Sequence, residues 1–131
     1  MPTRYLELGD YLIVAEAILG ISAETLARPP RLDLADSALN APAAGFGGVE
    51  AYPEFEVKVA VLGWHLVKNH PLPDGNKRAA FLAMLEFVER NGQAWTRSDR
   101  DPEETDEVIR GIAAGLVSED EFRDWVAGRV R

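Results

Sequence analysis

Residues 70–91 read HPLPDGNKRAAFLAMLEFVERN, and this stretch decides the fold. From Ala79 to Leu85 every residue is apolar, and the apolar pattern continues into the next turn. A helix that is apolar on nearly every side is a buried helix. Arg90 stands in its last turn, and the Asn-Gly pair that follows is a standard helix stop. The sequence therefore predicts a buried central helix over residues 75–91.

The nine residues ahead of this helix, 70–78, predict a rigid turn that leads directly into it. Two prolines stiffen the segment, and its Pro-Asp-Gly sequence is a turn signal. The start of the helix carries free backbone N–H groups and the positive end of the helix dipole, which together attract anions. Gly75 is expected to let a ligand approach the backbone closely. The turn therefore predicts an anion site at the helix start.

Side chains in the same segment suit a nucleotide phosphate. Lys77 and Arg78 place two cations in the first turn, where each disfavours the helix itself by about 0.3–1 kcal/mol. A bound phosphate would reverse that cost, and Asn76 adds hydrogen-bond donors. Asp74 offers the hard carboxylate oxygen that Mg²⁺ prefers beside phosphates. His70 can act as a general base, since histidine is the side chain that titrates nearest neutral pH.

Each of these residues taken alone has an ordinary structural interpretation. Asp74 alone is more often an N-cap than a metal ligand. Lys77 and Arg78 alone are usually solvated surface charges, and His70 alone is an exposed loop residue. His65, in the preceding apolar segment, is interpreted as structural. The functional interpretation depends on the combination of base, metal ligand, phosphate donors and helix start within nine residues.

The rest of the chain predicts an all-α, mainly helical fold. Residues 54–69 alternate as a strand would, but their length and the proline before them favour a helix. Residues 41–53 hold three glycines and two prolines and predict a mobile surface loop or a small hairpin. Further helices are predicted over residues 10–19, 22–27, 33–40 and 102–115, and from a capping box at Ser118 through Val126.

Length and composition exclude several classes of protein. The 131 residues, 47% of them hydrophobic, suit one compact domain over residues 1–131. The absence of cysteine excludes disulfides and thiolate metal sites. No run approaches the roughly 18 apolar residues of a membrane helix, and the N-terminal MPTRYLELGD lacks the apolar stretch of a signal peptide. The formal charge of −8 disfavours direct nucleic-acid binding. We therefore expect a cytoplasmic protein that contacts neither membrane nor nucleic acid directly.

The segment HPLPDGNKR resembles the motif of the Fic/Doc family, and within it that of the Doc (death-on-curing) toxins. The Doc-type pattern is His, any residue, Phe, two more residues, Gly or Ala, then Asn-Lys-Arg. The resemblance extends to LADSALNAPAAGFGGVEAYP before the motif, LEFVERNG after it and GLVSEDEF near the end. It implies a compact Fic/Doc-like helical bundle with a central helix after the motif loop and a small flap.

The resemblance also implies a role for each residue of the loop. His70 would deprotonate a target hydroxyl, and Asp74 would hold Mg²⁺ on the phosphates of ATP. The phosphate-binding set would be Gly75, Asn76, Lys77 and Arg78. Fic-type AMP transferases carry glycine where Lys77 stands, and a lysine fills the space that the rest of the triphosphate would need. Doc-type proteins present the γ-phosphoryl group instead, which implies a kinase that phosphorylates a threonine of elongation factor Tu and arrests translation.

Partners and regulation are implied in the same way. Phe46, Gly47 and Gly48 match the family's flap, which aligns the target segment by strand pairing; from the residues alone they form only a Gly-rich loop. No Glu in the chain is followed by Gly or Asn, so the family's self-inhibitory motif is absent. The resemblance then implies a separate Phd-type antitoxin, whose C-terminal segment would lie in an apolar groove.

Two positions depart from the Doc-type pattern, and a third agrees with it against the pattern of the AMP transferases. Leu72 replaces the usual Phe and is expected to anchor the loop in the core with less volume. Ala79 replaces a common Thr, and Phe81 stands where Fic-type AMP transferases have a second arginine. Two other functions stay open on this sequence: an AMP or other nucleotidyl transferase on the same fold, and a catalytically silent antitoxin-binding regulator.

Overall fold

The computed structural model describes residues 2–28 and 30–131, which form seven α-helices, one short 3₁₀ helix and one β-hairpin. The helices are α1 (Leu8–Leu19), α2 (Ala23–Leu26), α3 (Arg31–Asn40), α4 (Phe55–Asn69), α5 (Asn76–Arg90), α6 (Glu103–Ala113) and α7 (Glu119–Ala127). The 3₁₀ helix spans Ala41–Ala43, and the strands are β1 (Gly45–Phe46) and β2 (Val49–Glu50). The prediction of a mainly helical fold is confirmed.

The segment with the ambiguous pattern, residues 54–69, is the helix α4. Its residues from Lys58 to Gly63 are all buried, whereas Glu54 at the start of the segment is exposed. The alternation of polar and apolar residues therefore does not match burial, because the charged Lys58 is as buried as its apolar neighbours. Periodicity alone therefore failed to distinguish the two structures, whereas length and the preceding proline did.

Helices α4 and α5 pack against each other at the centre of the bundle. A Cβ atom at Gly63 would lie 2.3 Å from the Met84 sulfur, so the glycine permits this close approach. The buried face of α5 includes Ala79, Ala80, Ala83, Met84, Phe87 and Val88. Leu82 on its other face is 39% exposed, so α5 is buried on most sides but not on all. The predicted buried helix is confirmed and shares the centre with α4.

Two contacts fix the surroundings of α5. At its C-terminal end, Arg90 donates to the Asp10 carboxylate of α1 at 2.9 Å. This hydrogen bond, opposed by burial, holds the pKa of Asp10 below its usual value. Beyond α5, Trp95 pairs with Val130 in an isolated antiparallel bridge, and its ring meets Phe81 edge-on at 5.5 Å. The bridge ties the segment after α5 to residues that follow α7, and the ring contact places Trp95 beside the N-terminal half of α5.

The Gly-rich stretch forms a two-residue antiparallel hairpin, with Gly45 opposite Glu50 and Phe46 opposite Val49. Its turn residues Gly47 and Gly48 have φ of 60° and 80°, which glycine adopts without the steric cost of a side chain. Of the two structures that the sequence left open, loop or hairpin, the hairpin is the one formed. We call residues 45–50 the flap.

None of the helices in the described part of the chain is both long enough and apolar enough to cross a lipid bilayer.

Candidate functional site

The loop between α4 and α5 is shaped by two residues in the left-handed backbone region. His70 ends α4 with φ 51° and ψ 54°, and it is the one non-glycine residue with positive φ in the chain as described. Gly75 then begins α5 as its N-cap with φ 70°. Histidine is among the residues that tolerate this conformation. Because the left-handed backbone of His70 ends α4, the imidazole belongs to the loop that precedes the start of α5.

Three contacts hold the loop between these two turns. Leu72 is 2% exposed and belongs to the hydrophobic core, as expected for the residue that replaces the family's Phe. The buried Asn76 side chain accepts from the Leu72 N–H at 2.8 Å and donates to the Leu72 carbonyl at 2.9 Å. Arg31 of α3 donates to the Pro71 carbonyl at 3.3 Å. Side-chain hydrogen bonds therefore fix the start of α5 to the loop, in addition to the covalent connection of the chain.

The Asn76 amide thus has a structural task that the sequence did not predict. We expect Asn76→Ala to lower the free energy of unfolding by about 2–4 kcal/mol, because it leaves two buried backbone groups of Leu72 without partners. The measurement is the midpoint of urea unfolding. Asn40→Ala is the control, since Asn40 is exposed and its side chain makes no hydrogen bond within residues 2–28 and 30–131. A loss no larger than that of the control would contradict this role.

The start of α5 carries a set of hydrogen-bond donors without protein acceptors. The first α-helical bond runs from the Ala79 N–H to the Gly75 carbonyl at 2.9 Å. The backbone N–H groups of residues 75–78 have no acceptor in the portion of the chain that is described, and they lie at the positive end of the helix dipole. Lys77 and Arg78 are exposed, and neither has a carboxylate within 4.0 Å there.

Asp74 is not the N-cap of α5, so the ordinary structural interpretation of this residue is wrong. Gly75 takes that position, and no side chain bonds to the first N–H groups of the helix. The exposed Asp74 carboxylate has neither a hydrogen bond nor an ion pair among the residues described. It is therefore available to a ligand at the start of the helix.

Gly75 has a structural role that the sequence did not predict. The expectation that its missing side chain lets a ligand approach the backbone stays a prediction. A Cβ atom at this position would lie 3.1 Å and 3.3 Å from side-chain carbons of Ile18 and Leu19 on α1. Glycine is required here by its left-handed φ and by the packing of the loop against α1.

One cleft of about 700 Å³ collects the predicted loop residues. His70, Asp74, Gly75, Asn76, Lys77 and Arg78 line one side of it. The other side is formed by the segment after α5 and by α6, with Phe81 between them. That opposite wall consists of Trp95, Arg97, Asp101, Pro102, Thr105, Asp106, Ile109, Arg110 and Ala113. A cleft of this size falls in the range that holds a cofactor-sized ligand.

The opposite wall was not predicted from the sequence. Trp95 lies 17 residues and α6 lies 25 to 35 residues beyond Arg78, and both reach the cleft only through tertiary packing such as the contact of the Trp95 ring with Phe81. No local motif marks these residues. The acidic N-terminal turn of α6 suggested only a helix start, and the cleft-facing sequence of Thr105, Ile109 and Ala113 at four-residue spacing is common to any packed helix.

The charges that line the cleft differ from those of the chain as a whole. Arg110 is paired with Asp106 at 3.0 Å, and Asp101 accepts from Thr105 and from the Ser98 N–H. Burial alone would raise the pKa of Asp101, but the bonds from Thr105 and Ser98 and the nearby charge of Arg129 together lower it below its usual value. Among the residues described, the unpaired charges of the cleft are then three cations, Lys77, Arg78 and Arg97, and one carboxylate, that of Asp74. A chain with formal charge −8 therefore has an excess of unpaired cations in this cleft.

The predicted flap residues are not among those that line the cleft. Phe46, Gly47 and Gly48 line a shallow depression of about 300 Å³ that shares no lining residue with the cleft. Phe46 is 92% exposed at the hairpin. The structure therefore brings the loop residues together in one cleft, and the three flap residues do not line that cleft.

Comparison with known proteins gives two matches. The sequence pattern of the Fic/DOC family matches residues 5–88. The chain is also 32% identical over 126 residues to a protein named Toxin Doc from Mycolicibacterium smegmatis, an alignment that covers 96% of this chain and 93% of that protein. Both matches include the loop and the start of α5.

Proposed function

Since the chain belongs to the Fic/Doc family, we propose that it is a toxin that transfers the γ-phosphoryl group of Mg-ATP to a threonine hydroxyl of a protein. The observation that carries the proposal is the convergence of His70, Asp74, Lys77 and Arg78 on one cleft at the start of α5. The four unbonded N–H groups there suit phosphate oxygens. The apolar side of the cleft, with Trp95 and Ile109, suits a nucleobase.

The chain's own residues supply positioning and proton transfer. A ring nitrogen of His70 would accept the proton of the acceptor hydroxyl as that oxygen bonds to the γ-phosphorus. The bond from the γ-phosphorus to its bridging oxygen breaks in the same transfer, and ADP leaves. The Arg78 guanidinium and the N–H groups of residues 75–78 would hold the phosphates in line and balance their charge, which is the main requirement of phosphoryl transfer.

The donor set fits a magnesium ion that is shared with the substrate. The described chain has no group of three or more His, Cys, Asp or Glu side chains that could enclose a metal. Mg²⁺ is usually bound by one or two carboxylates, with phosphates and water completing the shell, and the unpaired Asp74 supplies one such carboxylate. When bound there, the ion would neutralise negative charge on the phosphates.

Lys77 distinguishes the two transferase reactions. It is exposed in the first turn of α5 and lines the cleft, where it would fill space and contact the triphosphate. We expect Lys77→Gly to lower the rate of γ-phosphoryl transfer by about tenfold or more, because it removes a charged donor to the phosphates. We also expect this variant to permit transfer of the nucleotidyl group. Lys77→Ala is the control, because it removes the charge without the helix cost of glycine. Unchanged γ-phosphoryl transfer in both variants would contradict this role.

The experiment that tests the function uses ATP labelled at either the α or the γ phosphate. The purified protein, Mg²⁺ and a bacterial extract are incubated with each label, and the acceptor is identified after electrophoresis; purified elongation factor Tu is then tested as the acceptor. We expect label on protein only from the γ position. Label only from the α position would replace the kinase by a nucleotidyl transferase, and label from neither would favour a silent regulator.

The proposed partner follows from the same family. A toxin of this kind, acting in the cytoplasm, requires an inhibitor, and we propose a Phd-type antitoxin encoded by a neighbouring reading frame whose C-terminal segment lies in an apolar groove of this chain. Co-expression with the small protein encoded beside it should restore growth and yield a complex on size-exclusion chromatography. Failure of any neighbouring product to bind would contradict this assignment.

A further inference from the structure

The flap has almost no apolar contact with the rest of the molecule. Residues 43–51 are all exposed, including Phe46 and Val49, whose side chains form no part of the core. Its own pairing consists of two residue pairs, closed at the base by the bond from the Ala51 N–H to the Ala44 carbonyl at 2.9 Å. An isolated hairpin of this length is not stable in water. Its orientation therefore depends on a contact other than hydrophobic packing.

That contact is an ion pair with a buried lysine. Lys58 of α4 is 1% exposed, and its Nζ lies 3.0 Å from Oε1 of Glu50 in β2. Its ammonium also lies 5.6 Å from the centroid of the Tyr5 ring. Glu50 is the one carboxylate within 4.0 Å of Lys58 in the described chain, although its own side chain is 54% exposed. The buried charge therefore depends on a residue of the flap for its partner.

A second contact lies just after the flap. The Arg123 guanidinium of α7, itself paired with Glu119 at 3.0 Å, lies 5.3 Å from the centroid of the Tyr52 ring. Tyr52 is two residues beyond Glu50, so both contacts hold the C-terminal side of the hairpin. The N-terminal side, with Gly45 and Phe46, is held through β pairing to that strand. Loss of the Glu50 contact should therefore release the hairpin as a unit.

We propose that Lys58 and Glu50 are positioning residues that fix the flap in the orientation in which it docks the acceptor protein. This inference rests on the proposed function and on the role that the family resemblance implies for the flap, which is to align the acceptor segment by strand pairing. Neither residue of the pair lines the cleft that contains His70. Its loss should weaken binding of the acceptor and leave the chemical step and ATP binding unaltered.

The test compares three variants by NMR and by steady-state kinetics. Glu50→Gln removes the partner, and Lys58→Met removes the buried charge while keeping an apolar stem, so it loosens the flap without leaving an unpaired cation. Glu54→Gln is the matched control, since Glu54 is exposed, close in sequence and without an ion pair in the described chain. We expect backbone order parameters of residues 45–50 to fall from about 0.85 to below about 0.6 in the first two variants only.

The kinetic readout separates positioning from stability. For the acceptor that the wild type labels, we expect Glu50→Gln and Lys58→Met to raise KM about tenfold with kcat changed by less than about twofold. Unchanged order parameters, or a loosened flap with an unchanged KM, would overturn the inference. A wild-type protein that labels no acceptor would refute the proposed function instead, and the order parameters would still decide whether the ion pair holds the hairpin.

Discussion

His70→Asn should lower γ-phosphoryl transfer by about 10²–10⁴-fold, the usual contribution of a general base. Asparagine is the appropriate replacement because it tolerates the left-handed backbone that His70 adopts at φ 51°. Alanine would add backbone strain to the loss of the imidazole and could move the start of α5. Because His70 is exposed, the substitution should leave the stability of the protein nearly unaltered. The measurement is the rate of label transfer under single-turnover conditions.

The chain supplies its own control for this variant. His65, the other histidine, lies within α4, does not line the cleft and is expected to have no part in the reaction. His65→Asn should keep the wild-type rate of transfer in protein that remains folded by circular dichroism. Equal activity of His70→Asn and wild type would exclude the imidazole as the base, and equal toxicity on expression would favour a non-enzymatic protein.

Asp74→Asn should reduce the rate of γ-phosphoryl transfer by about 100-fold at low Mg²⁺. Removal of a residue that only supports a metal ligand already costs about 10- to 100-fold in activity, and Asp74 is proposed to be a ligand itself. The amide retains the shape of the carboxylate but loses its charge, so magnesium binding between this residue and the phosphates is weakened. Raising the Mg²⁺ concentration should restore part of the rate. The measurement is the rate of transfer across a magnesium titration.

The dependence on magnesium distinguishes a metal ligand from a structural residue. Asp99→Asn is the matched control, since Asp99 is an exposed acid on the segment after α5 and does not line the cleft. It should reproduce the wild-type magnesium curve. If the rate of Asp74→Asn were reduced by the same factor at every Mg²⁺ concentration, the carboxylate would not act as a ligand of the ion.

The helices could largely be predicted because their local signals agree with the packing. The apolar run after Arg78 correctly predicted α5. The capping box of Ser118 and Glu121 correctly predicted α7, and its two reciprocal hydrogen bonds are present. Lys58 is where such reasoning fails, because a lysine on a helix is normally exposed and only a partner distant in space permits its burial. That partner is Glu50, which lies in a Gly-rich segment that the sequence predicted only as a loop or a hairpin.

The site was predictable on one side only. The loop and the start of α5 are continuous in sequence, so a single motif specifies them. The wall formed by Trp95, Arg97 and α6 is brought to the loop by contacts between residues far apart, which a pattern within one sequence does not reveal. The structural role of Gly75 was missed for the same reason, since its neighbours Ile18 and Leu19 are on α1. The role of Asn76 is local, because both of its bonds go to Leu72 four residues earlier, and it was missed because Asn76 was interpreted as a phosphate donor.

The central claim is that the start of α5 binds nucleotide phosphates beside His70. Titration of ¹⁵N-labelled protein with Mg²⁺ and a non-hydrolysable ATP analogue, followed by amide chemical shifts, tests it most directly. The account predicts that the largest changes fall on the four unbonded amides of residues 75–78, with smaller changes at the Trp95 side of the cleft and none in the flap. Saturable binding that leaves those four amides unperturbed, or no binding at millimolar analogue, would contradict it.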